Sequence, residues 1–513
     1  MSRRLLLGID IGTSGCKVAA FGLEGQIAGT VTMNYKTYYP HFGYVEQDAG
    51  EWWHAACDAI QAMMRDHAIR PDEIAAVGVA GQSWSCLPVD ERGTPLHNVM
   101  IWLDRRATEQ AQWMKDKSGE DRLINLNGNP VDPAYIVPKM LWLKENEPEV
   151  YNRAHKFLQS NAFIVFKLTG MYSQDYSQGY GFHFFNISKG AWDEEMADEL
   201  DLSLEKVAPI YHCHEVVGGV TRQAAGETGL CEGTPVVAGG LDAACCTLGA
   251  GVIRPGQTQE QGGQAGGMSI QVDQPLIHHK LILGYHVLPG QWLLQGGTVG
   301  GAGTLKWFDE HLGAGARQVA KERGISPFEV MSEEASQIRP GSDGLIFLPY
   351  MAGERSPIWN NKARGVFFGL SYDKTEAHII RSIMEGVGYS LLHNLDTAEE
   401  VKAHASELVS VGGASNSRVW TQIKADITGR PTHVPSSDHA TTLGAAMLAG
   451  IGVGVYKNFE EAVNRTVHIQ RTHIPDESNH RIYQRYYELY IELYNRLRDC
   501  FDLLHELSMQ VER

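Results

Sequence analysis

The chain has 513 residues, 43% hydrophobic and 20% charged, which fits a globular enzyme built of two large domains or more rather than one core. Its 44 basic residues face 61 acidic ones, a formal net charge of −17. That balance argues against a nucleic-acid or anionic-membrane partner, but not against a phosphorylated ligand held by backbone N–H groups and a divalent cation. The eight cysteines form no C-x-x-C pair. With no signal-like apolar segment at the N-terminus and no run approaching the ~18 residues of a membrane span, they predict a reduced, cytoplasmic protein.

Residues 5–9 form an apolar run, followed by Asp10-Ile11-Gly12-Thr13-Ser14-Gly15 and a second run over 16–21. Two strands joined by small residues predict a hairpin. Glu24-Gly25 then turns the chain into a third strand over 26–31. Three strands in succession form a meander, not the β-α-β opening of a Rossmann unit. Bare backbone can approach a phosphate at such a turn. Lys17 could add a point charge, and Asp10, at the strand end, could hold Mg²⁺ directly or through water. An ordinary hairpin turn explains the same residues equally well.

Asp48, with Glu51 three residues on, predicts a capping box. The helix that follows carries Trp52, Ala56, Ile60 and Met63 on one face. A strand over 234–237 runs into Gly239-Gly240-Leu241-Asp242 and then a small-residue helix start at Ala243-Ala244. A carboxylate there is well placed for chemistry, although an N-cap Asp is the commoner explanation of the position by itself. Strands over 257–261 and 268–272 flank Gly262-Gly263-Gln264-Ala265-Gly266-Gly267 and repeat the first hairpin. This implies an internal duplication. The boundary falls near 249–255, giving an N-terminal domain over 1–251 and a C-terminal domain over 252–513.

The last third of the chain adds further elements. Ile379, Ile380, Ile383, Met384, Val387 and Leu391 make a helical stripe. Val411-Gly412-Gly413-Ala414-Ser415-Asn416 lies between a strand and a helix with Trp420, leaving room for a flat base or a ribose. Gly444-Ala445-Ala446 permits close helix packing. Tyr483, Tyr486, Tyr490, Leu493, Leu497 and Phe501 share one face of a C-terminal helix, which reads as packing rather than a cofactor box. His212-Cys213-His214 alternates as a metal site might, without a ligand cluster beside it, and His278-His279 reads as surface.

These residues resemble the FGGY carbohydrate kinases. Gly365-Val366-Phe367-Phe368-Gly369-Leu370, seven further residues, then His378-Ile379 and Ser382-Ile383-Met384-Glu385 match the second signature of that family. Pro138-Lys139-Met140-Leu141-Trp142 matches the first in part, Ala134 and Ile136 being atypical. Glu46-Gln47-Asp48, Trp52-Trp53, Gly81-Gln82, Ile101-Trp102 with Asp104, Leu348-Pro349-Tyr350 and Gly353-Glu354-Arg355 keep the family's order. Among its members the chain is most similar to xylulokinases.

The resemblance implies an α/β fold of two actin-like (ribonuclease H-like) domains flanking an interdomain cleft. Sugar would bind mainly to the first domain and ATP mainly to the second. It implies phosphorylation of a small ketose, with Asp242 as catalytic base and Asp10 acting through Mg²⁺. Gly12, Thr13, Ser14 and Lys17 would lie near the phosphates, and Gly263, Gln264, Gly412, Gly413 and Asn416 near the nucleotide. The positions of Gln82, Ser83, Trp84, Trp102, Asp104 and Asp242 correspond to the sugar side. A homodimer is compatible with this reading; a nucleic-acid or membrane partner is not.

The departures point away from D-xylulose. Ser83-Trp84 stands where xylulokinases usually carry Met-His, Ala243 where they carry Asn, and Leu103 where many carry Asn. Ribulose, an L-ketose or a tetritol are the alternatives. Gln264 replaces a usual phosphate-side Thr, though Gln can still donate a hydrogen bond. Gln264 and Ala243 would also suit a silent sugar- or nucleotide-binding protein on the same fold, against which Asp10 and Asp242 speak. The sugar-side segments and the second signature disfavour an actin-like chaperone or filament ATPase.

Overall fold

A computed structural model describes residues 4–511. They form two compact α/β units. One holds the chain up to Pro255 together with Gln271–Leu293 and His439–His468; the other holds Gly256–Ile270, Leu294–Asp438 and the chain from Ile469 onward. The first crossing lies at the edge of the expected 249–255 boundary. Two later segments return to the first unit, which a single division at residue 251 does not anticipate.

The first sheet uses β1 (Leu5–Ile11), β2 (Gly15–Gly22), β3 (Ile27–Asn34), β4 (Ile74–Gly81), β5 (Val216–Gly219) and β6 (Pro235–Val237), in the order β5-β6-β4-β1-β2-β3. β1 and β2 are antiparallel, with Asp10 opposite Lys17, and β3 continues the meander. β4 runs parallel to β1, and β6 parallel to β4. Leu5, Leu7, Ile9 and Ile11 are buried with Trp52, Ala56, Ile60 and Met63 of the helix Ala49–Asp66. Asp48 caps that helix by accepting from Gly50 N at 2.7 Å. The expected reciprocal half of a capping box is not made, because the Glu51 carboxylate accepts instead from Lys36 N at 3.0 Å and Tyr38 Oη at 2.6 Å.

The return of the 439–468 segment has a steric basis. The helix Ala440–Gly452 lies so close to the first sheet that a Cβ on Gly8 would sit 2.0 Å from Thr442 O, and one on Gly78 1.9 Å from Ala445 O. Gly444 approaches Cys245 O in the same way, at 1.9 Å.

The second sheet includes β7 (Gln257–Gly262), β8 (Gly266–Val272), β9 (Trp292–Thr298), β10 (Glu407–Val411), β11 (Thr432–Pro435) and β12 (Ile469–His473), in the order β9-β8-β7-β10-β11-β12. β7 and β8 are antiparallel, β10 is parallel to β7, β11 parallel to β10, and β12 antiparallel to β11. Written from its meander end, the first sheet has the same plan, β3-β2-β1-β4-β6-β5, so the duplication read from the glycine turns extends to whole sheets. Ile380, Ile383 and Met384 of the helix Glu376–Glu399 pack in the second core with Phe347 and Leu348. Tyr483, Tyr490 and Phe501 are buried there, and Tyr350 Oη donates to Tyr490 Oη at 2.8 Å. Among the described residues, no helix is long and apolar enough to cross a membrane.

Candidate active site

Two carboxylates of the first unit meet through sheet register. Asp10 on β1 and Gly240 both pair with Ala80 of β4, from opposite sides. Two residues on from Gly240, Asp242 opens the helix Asp242–Gly249. Burial above all, then the negative charge of Asp242, pushes the Asp10 carboxyl up to about 7, with Lys17 pulling the other way. Burial pushes Asp242 up to about 6 against the effect of its hydrogen bond from Ala243 N at 2.6 Å. Asp10 Oδ1 is buried without a hydrogen-bond partner among the described residues.

The unsatisfied oxygen of Asp10 suits a hydrated divalent cation. Among the described residues, no group of three or more His, Cys, Asp and Glu is placed to hold a metal. An ion at Asp10 would therefore rest on at most two carboxylates, with water and ligand phosphates, a set that Mg²⁺ accepts. Beside it the β1–β2 turn is tight: Gly12 N donates to Gly15 O at 3.1 Å, and a Cβ on Gly15 would lie 2.7 Å from Met33 O. Ser14 is exposed, while Thr13 and Lys17 are half-buried.

Gln82, at the end of β4, is buried and donates from Nε2 to Gln47 Oε1 at 2.9 Å, leaving its own Oε1 without a partner. Gln47 is the hub of this corner: it also accepts from Trp52 Nε1 at 3.0 Å and donates to Thr13 O at 2.7 Å. Trp102 Nε1 reaches Thr13 Oγ1 at 3.1 Å. These bonds tie the Gly81-Gln82 and Ile101-Trp102 segments to the β1–β2 turn of the same unit. The Glu46-Gln47-Asp48 motif marked the segment in the sequence, but not the role of Gln47.

Trp84 has φ +56°, a strained setting for a bulky residue. Its ring stacks on Tyr135 at 4.2 Å and meets Tyr180 edge-on at 6.2 Å. Lys139 Nζ fixes the Trp84 carbonyl at 2.9 Å and Ile101 O at 2.8 Å, and burial pulls its pKa down to about 8. Ser83 is half-buried next to it. Asp104, expected on the sugar side, is wholly buried with both oxygens engaged. Oδ2 accepts from Val45 N at 2.7 Å and Arg106 Nη2 at 2.8 Å, and Oδ1 from Arg106 N at 3.1 Å. Arg106 also pairs with Glu46 at 2.5 Å. This geometry makes Asp104 a brace and leaves no open acceptor for a hydroxyl. His212 stacks on Tyr176, and His214 meets Phe459 edge-on.

In the second unit a cavity of about 910 Å³ is lined by Gly263, Gln264, Gly413 and Asn416, within the usual range for small-molecule sites. Gly412 lies beside it at φ +88°, where a Cβ would meet Gly262 at 3.0 Å. Lys306, Phe328, Ser332 and Arg418 also line the cavity and were not foreseen. So do Ala302 and Gly303, at the N-terminal end of the helix Ala302–His311, whose N–H groups donate to Gly263 O at 2.8 Å and Gln264 O at 3.1 Å and so fix the glycine turn against the helix. A Cβ at 303 would lie 2.6 Å from the backbone oxygen of Gln264, a clash that the flexible Gln264 side chain cannot relieve. The glycines at 300, 301 and 303 were the unused sequence signal. Next to Gly262 lies a buried ion pair, Lys424 Nζ to Glu260 Oε1 at 2.6 Å.

Residues 5–249 match the N-terminal domain, and residues 270–453 the C-terminal domain, of the FGGY family of carbohydrate kinases. The chain belongs to that family and is a sugar phosphotransferase. It is 30% identical over 490 residues to a xylulose kinase of Staphylococcus epidermidis (strain ATCC 12228 / FDA PCI 1200), covering 95% of this chain and 96% of the relative. It is 29% identical over 490 residues to a gluconokinase of Bacillus licheniformis, covering 94% and 93%. The solved xylulose kinase from Rhodospirillum rubrum superposes with a TM-score of 0.87 at 26% identity, covering 97% of this chain and all of that one.

Proposed function

We propose that the chain transfers the γ-phosphoryl group of ATP to a hydroxyl of a small neutral ketose or polyol, with Asp242 as general base. The observation that carries this reading is the half-buried Asp10–Asp242 pair at adjoining strand ends, beside a small-residue turn. A base with a pKa near 6 is ionised at neutral pH yet basic enough to accept a hydroxyl proton. The hydroxyl oxygen bonds to the γ-phosphorus, the bond from that phosphorus to the β–γ bridging oxygen breaks, and the proton passes to Asp242. The products are ADP and a sugar phosphate. Asp10 is the residue that would hold Mg²⁺, which when bound draws charge from the phosphate oxygens. The glycine-lined cavity of the second unit suits the nucleotide, with Gln264 donating on the phosphate side.

The relatives act on a ketose and on a sugar acid. Gluconate would bring a carboxylate needing a cation. Of the buried cations in the sugar-side segments, Lys139 is spent on backbone carbonyls and Arg106 on Asp104 and Glu46. That favours a neutral sugar. Gln82 Oε1 offers an acceptor for a hydroxyl, and the Trp84 and Trp102 rings offer flat walls for carbon-bound hydrogens. A coupled ADP-release assay over D-xylulose, ribulose, L-ketoses, tetritols and gluconate tests the proposal. The highest kcat/KM is expected on a neutral sugar other than D-xylulose. A preference for gluconate, or no sugar-dependent ADP release, contradicts it.

A further inference from the structure

The peptide run that delivers Asp242 is bent and then clamped. β6 ends at Val237, and pairing with β4 resumes only at Gly240. Between them Gly239 takes φ +73°, where a Cβ would lie 1.9 Å from Val79 O. The bend is held on both sides by one buried cluster. Asn161 Nδ2 donates to Ala238 O at 3.3 Å and to Asp175 Oδ2 at 2.9 Å. Ser177 Oγ donates to Asp175 Oδ1 at 2.5 Å and accepts from Leu241 N at 2.8 Å. Its single proton is committed to the carboxylate, so its lone pair faces the peptide N–H one residue before Asp242.

The orientation of the cluster is over-determined. Gln178 Nε2 holds Asn161 Oδ1 at 2.8 Å, which turns the Asn161 N–H groups toward Asp175 and Ala238. Gln178 N gives Asp175 Oδ1 a further donor at 3.0 Å. Asp175 is 1% exposed, and burial pushes its carboxyl up to about 6 despite these donors. A turn cap alone would not require a buried carboxylate, since an exposed Asp performs that task without the desolvation cost.

We infer that Asp175, Ser177 and Asn161 are positioning residues that aim the Asp242 carboxylate by clamping the backbone across the Gly239 bend. The inference rests on the reading of Asp242 as the base. Reactions of this kind lose about 10²-fold for a misplacement near 1 Å, and removing the Ser177 hydroxyl leaves the Leu241 N–H unsatisfied in a buried site.

The test is a double-mutant cycle of Ser177→Ala with Asp242→Asn, reading kcat and both KM values on the best sugar of the panel. Ser177→Ala alone is expected to lower kcat about 10- to 100-fold with both KM values within about twofold. In the Asp242→Asn background it should change the residual kcat by less than about twofold, because nothing remains to be aimed. An unchanged kcat in Ser177→Ala, or an equal loss in both backgrounds, overturns the inference. Near-normal turnover of Asp242→Asn alone overturns the base reading itself, and the inference with it. If Ser177→Ala does not fold, Asp175→Asn, which keeps the volume, runs the same cycle with the same expectations. Failure of both to fold would show that the cluster holds the fold rather than the base, and would also overturn the inference.

Discussion

Asp242 is half-buried, shielded from water enough to resist ionisation yet not so strongly that it stays protonated at neutral pH. Asp242→Asn should lower kcat by on the order of 10²-fold or more while calorimetry still detects sugar binding; unchanged turnover removes the assignment. The same burial makes a stability prediction with a definite sign. The folded-state pKa, about 6, lies above the ordinary 3.8. The folded protein therefore holds this proton to higher pH than the unfolded chain does. The destabilising, ionised form is absent at low pH and accumulates as pH rises through about 6. Asp242→Asn should accordingly melt above the wild type at pH 8, and the gap should narrow toward pH 5. A gap independent of pH contradicts the burial argument. At the specificity end, Trp84→His should reorder the sugars of the panel more than it changes KM for ATP. A uniform fall across all sugars would assign Trp84 to packing alone. Asp104 shows the limit of reading single residues. Its place two residues after Trp102 suggested a sugar contact, but sequence spacing does not reveal that Arg106 and Val45 N take both of its oxygens.

At the scale of elements, the hairpins were legible because apolar alternation and small-residue turns are local signals. The capping box at Asp48 was legible only by half, since the partners that draw Glu51 away, Lys36 and Tyr38, belong to a preceding segment. The bend at Gly239 was visible as a glycine pair, but its steric reason, Val79 O, lies on another strand. Gly239→Ala should cost about 3 kcal/mol or more, combining backbone strain with overpacking; urea denaturation measures it, and a loss below about 1 kcal/mol, the usual Gly-versus-Ala scale, contradicts the contact. The Glu260–Lys424 pair was not legible, because the two residues are far apart in sequence and each looks like a surface charge. Lys424→Met leaves Glu260 buried and uncompensated, at an expected cost of about 3–5 kcal/mol. Adding Glu260→Leu should recover much of that loss. A double variant no more stable than the single one contradicts the pairing argument.

For the whole molecule, one supersecondary plan appears twice, and each copy was given different work. The first sheet places carboxylates at adjoining strand ends; the second opens onto a cavity lined by glycines. The duplication was legible from the echo of two glycine turns. The return of the 271–293 and 439–468 segments to the first unit was not. Gly444-Ala445-Ala446 announces a helix that can pack closely but does not name the surface it packs on, and Gly8 and Gly78 look like unremarkable strand residues until the helix lies over them. The central claim joins both units in one reaction, phosphoryl transfer from ATP to a sugar hydroxyl with Asp242 accepting the proton. Sugar-dependent ADP release by the wild type and by Asp242→Asn, measured side by side with ATP, Mg²⁺ and the best sugar of the panel, tests it most directly. Release that requires the sugar and falls by on the order of 10²-fold or more in the variant is the predicted result; release that ignores the sugar, or survives the substitution, would contradict it.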